Sequence, residues 1–257
     1  MNGLHKKMRS PWLLALISIG LFDVGASAAP KVDSPVVGSA GPGSKLELPK
    51  GAVRGLYATT VGRSQSEFIL VHYWSSGARF RSETIISGHP IVTLVNGKYY
   101  YTWDQLTGEG YRVVRSPEAI AADTTRLRPF GLELQEILED GGEKIRSEIL
   151  NGIPVDIYRV TDGAGKRTLW VDAGQMDLPV RLESYSRSTG RTGRLDWLNW
   201  NPNLIMAETF FKPPKGLEIT RFDSYEKFLE KLREGPVAPT PPLFLYLLHN
   251  PNEGTPE

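Results

Sequence analysis

The chain has 257 residues, with 30 lysine and arginine residues against 29 aspartate and glutamate residues, and it contains no cysteine. A nearly neutral chain disfavours a nucleic-acid partner, because binding to phosphates requires a basic surface. Without cysteine, the chain cannot form disulfides, thiolate metal sites or the acylated cysteine of a lipoprotein. A chain of this length can fold as one domain with a substantial core.

The N-terminus has the composition of a secretory signal peptide. Lys6, Lys7 and Arg9 precede a short apolar run from Trp12 to Phe22, and the small residues Ala26–Ala29 follow. This run is too short for a membrane anchor, because a spanning helix needs about 20 apolar residues. We therefore expect residues 1–28 to be cleaved and the mature protein to be periplasmic.

The rest of the chain alternates between strand-like runs and turns after a linker. Residues 29–54 are rich in proline, glycine and serine and predict a flexible linker. Asn96-Gly97 predicts a hairpin, and Gly141 is placed to end a helix. The predicted strands are 67–74, 78–87, 91–103 (a hairpin), 109–115, 143–150, 153–160, 166–173, 178–188, 193–201 and 216–222. The predicted helices are 116–126, 129–140 and 223–235, the last capped by Asp223.

Consecutive strands joined by tight turns must be antiparallel. We therefore predict a mainly β protein with a few helices, of the α+β class, whose single large curved antiparallel sheet forms an unclosed barrel with a helical lid. The half-barrel domain spans residues 55–234, with helix 129–140 as the candidate lid. Residues 235–257 form a Pro-rich tail around the apolar run Leu243–Leu248, which either occupies the cavity when no ligand is present or docks outside as a short helix.

Alternation along the strands gives the sheet one apolar face. Leu169 and Val171 point one way, and Trp170 and Asp172 point the other. The chain has too few helical residues to cover a flat sheet of this size, so a curved sheet around a ligand cavity is expected. The candidate cavity residues are Leu70, Trp74, Phe80, Ile86, Phe130, Leu134, Leu169, Val171, Val180, Leu182 and Trp197.

Four stretches, in the same order along the chain, carry a family resemblance. They are "RFRSE" (79–83), "VNGKYYYTW" (95–103), "TLWVDAGQMDLPVRLE" (168–183) and "ETFFKPPKGLEI" (208–219). With them, the chain resembles the periplasmic lipoprotein-carrier superfamily, the LolA/LolB-like fold. The resemblance implies a cavity for acyl chains or other hydrophobic ligands, and a functional arginine near Arg79 and Arg81. The chain departs from the family in its length and in its Pro-rich tail.

The sequence shows no catalytic constellation. Its histidines, His5, His72, His89 and His249, have no metal-ligand spacing, and the HExxH and GxSxG motifs are absent. The stretch "DGAGKRT" (162–168) lacks the first glycine of a phosphate loop and predicts a turn. We therefore expect no enzyme activity, no cofactor and no metal site.

Two functions remain open from the sequence. The first is a hydrophobic-ligand carrier or binding protein, whose partner is a lipid or an acylated lipoprotein. The alternative is a periplasmic sensor or assembly factor that binds a periplasmic or membrane protein through the same fold, a role that suits the Pro-rich tail. Neither function involves nucleic acid.

Overall fold

The computed structural model describes residues 48–64, 67–174 and 177–249. The predicted signal peptide and most of the predicted linker lie outside the described residues. The described chain begins its first strand at Ala52.

Twelve strands of the described ranges form one sheet in the order β12-β6-β5-β4-β3-β2-β1-β11-β10-β9-β8-β7. The sheet is curved and not closed into a barrel, because no pairing joins the end strands β12 and β7 within the described residues. The mainly β fold class is therefore confirmed. The strands are β1 (Ala52–Ser64), β2 (Glu67–Ser76), β3 (Arg79–Ile86), β4 (His89–Asn96), β5 (Tyr99–Asp104), β6 (Glu109–Val114), β7 (Glu143–Leu150), β8 (Ile153–Thr161), β9 (Gly165–Asp172), β10 (Pro179–Ser186), β11 (Thr192–Ala207) and β12 (Glu218–Phe222).

Two strands differ from the expected pattern. β1 is absent from the predicted strands, yet it joins the two halves of the sheet by pairing with β2 on one side and β11 on the other. β12 pairs with β6 in parallel, whereas every other pair is antiparallel. β6 and β12 are separated by residues 115–217, and parallel neighbours require such a long connection.

Short turns containing glycine set the register of the first half of the sheet. The turns Gly77-Ala78, Ser87-Gly88 and Gly97-Lys98 each connect paired strand ends. Gly97 has a positive φ of 57°, a conformation that glycine adopts without a steric penalty. The predicted hairpin forms, but its turn is Gly97-Lys98 and not Asn96-Gly97, because Asn96 is the last strand residue and pairs with Tyr99.

In the described part of the chain, three helices accompany the sheet: α1 (Pro117–Thr125), α2 (Glu133–Glu139) and α3 (Tyr225–Glu234). The side chain of Ser116 caps α1 by accepting from the N–H of Ala119 at 3.2 Å. Ser224, and not Asp223, caps α3 by accepting from the N–H of Lys227 at 3.3 Å. No helix among the described residues is long and apolar enough to cross a membrane.

The sheet has two faces with separate cores. We call the face that carries Phe80, Tyr100 and Leu169 the inner face, because the helices and the C-terminal segment (residues 236–249) pack on it. The outer face carries two smaller clusters, around Trp103 and around Trp170.

Candidate ligand-binding face

The largest apolar cluster of the protein lies on the inner face of the first half of the sheet. Strands β1 to β6 contribute aromatic and aliphatic side chains, and α3 adds Phe228. Phe130, from the loop before α2, stacks on Trp200 with ring centroids 5.7 Å apart. The buried members are Ala58, Val71, Tyr73, Phe80, Val95, Tyr100, Tyr111, Val113, Phe130, Trp197, Phe228, Leu247 and Leu248.

Helix α2 covers the inner face of the second half. Leu134 and Ile137 pack on Leu169 and Val171, and the helix contacts β8 and β9. Leu182 packs against this cluster and also against the larger one, so it connects the two halves. The predicted lid therefore lies on the inner face, although as a single short helix.

A pocket of about 450 Å³ opens beside α2. Most of its lining is apolar, and Leu134 joins it to the cluster beneath the helix. Two of its leucines are unusually exposed, Leu127 at 77% and Leu138 at 48%. The lining residues are Leu127, Arg128, Gly131, Leu132, Leu134, Gln135, Leu138, Glu139 and Asp177.

The C-terminal segment occupies the inner face of the first half of the sheet. Leu247 and Leu248 are buried in the large cluster. The ring of Phe244 lies 5.2 Å from that of Phe80 and 5.7 Å from that of Tyr73. The apolar run of the tail therefore packs against the inner face, where Leu245–Leu247 form a short 3-10 helix.

Two buried phenols hold this segment to the sheet. The hydroxyl of Tyr100 donates to the carbonyl of Leu243 at 2.5 Å, and that of Tyr111 donates to the carbonyl of Thr240 at 3.1 Å. Burial raises the pKa of Tyr100 to about 12, so its phenol stays protonated and remains a donor. The backbone of the segment is thus bonded by side chains of the sheet instead of by a strand.

Arg115 is the second anchor of the segment. Its guanidinium group is buried and donates to the carbonyls of Leu247 at 2.5 Å, Gly97 at 2.7 Å and Ala119 at 2.9 Å. It also forms a two-bond pair with Asp123, at 2.7 and 2.9 Å. One cation therefore ties the segment, the β4–β5 turn and α1 together.

A buried carboxyl group lies where α2 begins. Burial raises the pKa of Glu133 to about 8, and the negative charge of Glu136 adds to this effect. The Oε2 atom of Glu133 has no hydrogen-bond partner among the described residues. A pKa near 8 favours the protonated form of Glu133 at neutral pH, and ionisation would place a charge beneath the lid on a carboxylate whose Oε2 has no hydrogen-bond donor.

Most of the predicted cavity residues do meet on the inner face. Phe80, Phe130 and Trp197 belong to the large cluster, and Leu182 packs against it. Ile86 lies at the end of β3, at an even spacing from Phe80 and so on the same face. The remaining members, Leu134, Leu169 and Val171, belong to the cluster under α2.

Leu70 and Trp74 lie on the outer face, which corrects the predicted cavity set. β2 is apolar on both sides, so only its register with β3 decides which side faces the cavity. In the structure Ser75 pairs with Phe80, which brings Val71 and Tyr73 to the inner face.

Val180 is also on the outer face, against the cluster around Trp170. A register shift between Pro179 and Arg181 inserts one extra residue into β10. This β-bulge breaks the alternation, so Val180 and Leu182 point to opposite faces instead of the same one.

Neither predicted arginine lies in the cavity. Arg81 stacks over the ring of Phe210 at 4.5 Å and over that of Trp103 at 5.4 Å, on the outer face. Arg79 pairs with Glu208 at 3.2 Å. Both arginines therefore hold the 3-10 turn Glu208–Phe211 against the outer face.

Three residues that bind the C-terminal segment, Tyr100, Tyr111 and Arg115, are absent from the predicted site. The run "YYYTW" could form a ligand platform, but its aromatic residues are more typical of strand packing. Arg115 carries no motif, and its position immediately after a strand and before a helix cap is its only signal. Within the described residues, no group of three or more metal-ligating side chains is present.

No protein-family model matches the sequence, and no curated protein matches it. Among solved structures, the chain is similar to an uncharacterised conserved protein of Thermus thermophilus, with 15% identity, a TM-score of 0.46, and coverage of 67% of this chain and 93% of that one. It is similar to the Mycobacterium tuberculosis lipoprotein LppX, with 12% identity, a TM-score of 0.36, and coverage of 56% and 86%.

A third similarity is to a chain of the Pseudomonas aeruginosa MucA/MucB complex, with 12% identity and a TM-score of 0.37. The match covers 65% of this chain and 58% of that chain. These similarities identify no family for the protein.

Proposed function

We propose that this chain is an exported periplasmic protein that binds a hydrophobic ligand, a lipid or the acyl chain of a lipoprotein, on the inner face of a LolA/LolB-like half-barrel. It acts as a carrier or a binding protein. The observation that carries this proposal is the apolar pocket of about 450 Å³ beside α2, which shares Leu134 with the cluster beneath the helix.

The exposure of the pocket leucines supports a binding role. Leu127 and Leu138 stand at the pocket with 77% and 48% of their surfaces accessible. Neighbouring exposed apolar side chains in one concave place mark a binding site more often than scattered ones do. Arg128, Glu139 and Asp177 at the rim supply polar groups that can face water or a headgroup.

The size and energetics of the site fit an acyl chain. Ligand pockets span about 300–1,000 Å³, and the volume of this one falls in that range. Burying about 14 methylene groups gains about 11 kcal/mol at about 0.8 kcal/mol each. Ordering the chain and losing its free motion cost several kcal/mol, which leaves reversible binding of the kind a carrier needs.

The proposal includes no catalytic step, no cofactor and no metal. Binding and release require only that an apolar chain is buried in the site and later leaves it. The predicted signal peptide supports export to the periplasm, where hydrophobic cargo requires a protein to cross the aqueous space.

A titration with a fluorescent fatty-acid probe tests the proposal. The double variant Leu127→Glu/Leu138→Glu places charge in the pocket and should weaken probe binding at least tenfold, while the folded state is retained because both side chains are exposed. The matched control is Leu106→Glu, which changes a leucine that is 61% exposed in the β5–β6 turn. Equal binding by the double variant and the control would refute a ligand site at this pocket.

The edge strand β7 favours a second candidate function, the binding of a partner protein. β7 ends the sheet, and no described strand pairs with its outer edge. Ile149 on this strand is 75% exposed, and Ile153 follows across the turn. An extended segment of a partner can add to such an edge as a further strand.

Purification from the native host separates the two candidates. A single co-purifying protein without bound lipid, lost in Ile149→Lys but retained in Leu106→Lys, would favour partner binding. Retained lipid in native mass spectrometry, unaffected by Ile149→Lys, would favour the ligand-binding proposal.

A further inference from the structure

A row of hydroxyl-bearing side chains crosses the inner face under the C-terminal segment. It runs through five adjacent strands, because each member pairs with the next across the sheet. All of its members are buried. We call it the hydroxyl row, and its members are Tyr73 (β2), Ser82 (β3), Thr93 (β4), Thr102 (β5) and Tyr111 (β6).

The serine and threonine hydroxyl groups of this row have no good hydrogen-bond partner in the C-terminal segment that lies over them. The Oγ atoms of Ser82 and Thr84 have no hydrogen-bond partner among the described residues. Those of Thr60, Thr93 and Thr102 form no hydrogen bond of ordinary geometry either, although the phenols of Tyr73, Tyr100 and Tyr111 lie beside them. Buried polar groups are nearly always bonded, and each one left unsatisfied costs about 1–3 kcal/mol. A permanent core would be expected to fill this row with apolar side chains.

The side chains that hydrogen-bond the backbone of the segment all act as donors. The phenols of Tyr100 and Tyr111 and the guanidinium of Arg115 each donate to a backbone carbonyl of the segment. Four of the seven residues in 236–242 are prolines, which have no N–H group. The occupant of this face is thus rich in acceptors and poor in donors.

We propose that the inner face beneath residues 236–249 is a binding site for an ester-linked lipid, whose carbonyl oxygens accept from the hydroxyl row, and that the C-terminal segment occupies this site until the lipid displaces it. This inference rests on the proposed function and adds to it the chemistry of the ligand. The segment contacts the loop before α2, because the hydroxyl of Tyr246 donates to the carbonyl of Pro129 at 2.6 Å.

An ester lipid fits the donors better than a second peptide does. Ester groups only accept hydrogen bonds, and they lie along an apolar chain. Most peptides would bring an N–H group with every residue. The guanidinium of Arg115 offers no acceptor in return, and the phenol oxygens that could accept already donate to carbonyls of the present segment.

The test compares two phosphatidylglycerols with identical chains, one diester and one diether, binding to the delipidated full-length protein. The diester lipid should bind roughly tenfold more tightly, as two ordinary hydrogen bonds would give. The double variant Thr93→Val/Thr102→Val should lose this preference while its thermal stability stays equal or rises, because two unsatisfied hydroxyls are removed. Thr161→Val, at the exposed end of β8, is the control and should keep the preference.

Displacement of the segment is measured in the same samples. The chain has no cysteine, so Leu245→Cys, at a position 39% exposed in the segment, accepts one environment-sensitive dye. Diester lipid should change the dye signal in proportion to the bound fraction. Binding without any change of signal would overturn the displacement.

The outcomes separate the two proposals. Equal affinities for diester and diether lipids would overturn this inference and leave the proposed function intact. A valine double variant that keeps the preference would also overturn it. If neither lipid binds, the proposed function fails, and the inference fails with it.

Discussion

The phenol oxygen of Tyr111 lies 3.1 Å from the backbone oxygen of Thr240, to which it donates, although the two residues are 129 positions apart in the chain. This bond joins the sixth strand to a segment that contributes no strand to the sheet. Together with the bond from Tyr100 to Leu243, it holds the C-terminal segment on the inner face.

Removing the hydroxyl group of Tyr111 should weaken the attachment of the C-terminal segment while the aromatic ring stays in the core. In Tyr111→Phe the ring remains and the carbonyl of Thr240 loses its donor, which should lower the free energy of unfolding by about 1 kcal/mol. Hydrogen exchange in 236–249 should accelerate. Tyr185→Phe, at a phenol on an exposed side chain, is the control and should change neither quantity.

Arg115→Lys should destabilise the protein more than a surface change of the same kind. A single ammonium group cannot serve three carbonyls and both oxygens of Asp123, so a loss of about 2 kcal/mol or more in the free energy of unfolding is expected by chemical denaturation. Arg194→Lys, in an exposed ion pair with Asp196, should cost less than about 1 kcal/mol. Equal losses in the two variants would contradict the anchoring role of Arg115.

The buried carboxyl of Glu133 should make stability depend on pH. Its pKa is raised to about 8 in the folded protein, against about 4.3 in an unfolded chain. Between these values the folded protein holds a proton that the unfolded chain releases, so stability falls as pH rises, by up to about 1.4 kcal/mol per pH unit.

Glu133→Gln stays neutral and should remove this slope, so the variant gains stability over the parent as pH rises through the neutral range. Denaturation curves measured at several pH values check the prediction. The control variant Glu143→Gln, at an exposed position, should leave the pH dependence of stability unchanged. Parallel pH profiles for the parent and Glu133→Gln would show that the carboxyl is ionised in the folded state.

Gly131 has both a backbone constraint and a steric one, whereas Gly88 has only the backbone constraint. Its φ is +72°, and a Cβ there would lie 2.7 Å from the ring of Trp200. Gly88 has a φ of +83° with open space around it. Gly88→Ala should therefore cost only the backbone term, about 1–2 kcal/mol, whereas Gly131→Ala should cost more and disturb the stack of Phe130 on Trp200. Thermal melts of the two variants would contradict this expectation if they gave equal losses.

Local patterns predicted most of the strands and helices. The turns at Gly77, Gly88 and Gly97 and the cap at Ser116 are signals that act over a few residues, and the structure confirms the elements they bound. β1 was not predicted because its sequence, "AVRGLYATTVGRS", contains two glycines and no regular alternation of apolar and polar residues. Its strand conformation comes from pairing with β2 and β11, which are distant contacts.

The assignment of side chains to faces failed where register decides it. The predicted strands 67–74 and 78–87 left residues 75–77 as the turn, which put Trp74 on the face of Phe80, whereas the structure turns at Gly77-Ala78. The bulge at Val180 cannot be recognised from a period of two. With the turn at Gly77-Ala78, counting outward along the hairpins would have aligned Tyr73, Ser82, Thr93 and Thr102 in one row. The apolar run of the C-terminal segment suggested that the segment could lie on the inner face. The side chains that hydrogen-bond its backbone could not be identified, because they lie more than 100 positions earlier in the chain.

Photo-crosslinking with a phosphatidylglycerol that carries a diazirine in its acyl chain tests the central claim most directly, since it maps where a bound chain lies. We predict adducts on inner-face residues, with Phe80, Leu134 and Leu182 among them. Adducts confined to the outer face, at Trp103 or Trp170, or no adducts on the folded protein, would contradict a ligand site on the inner face.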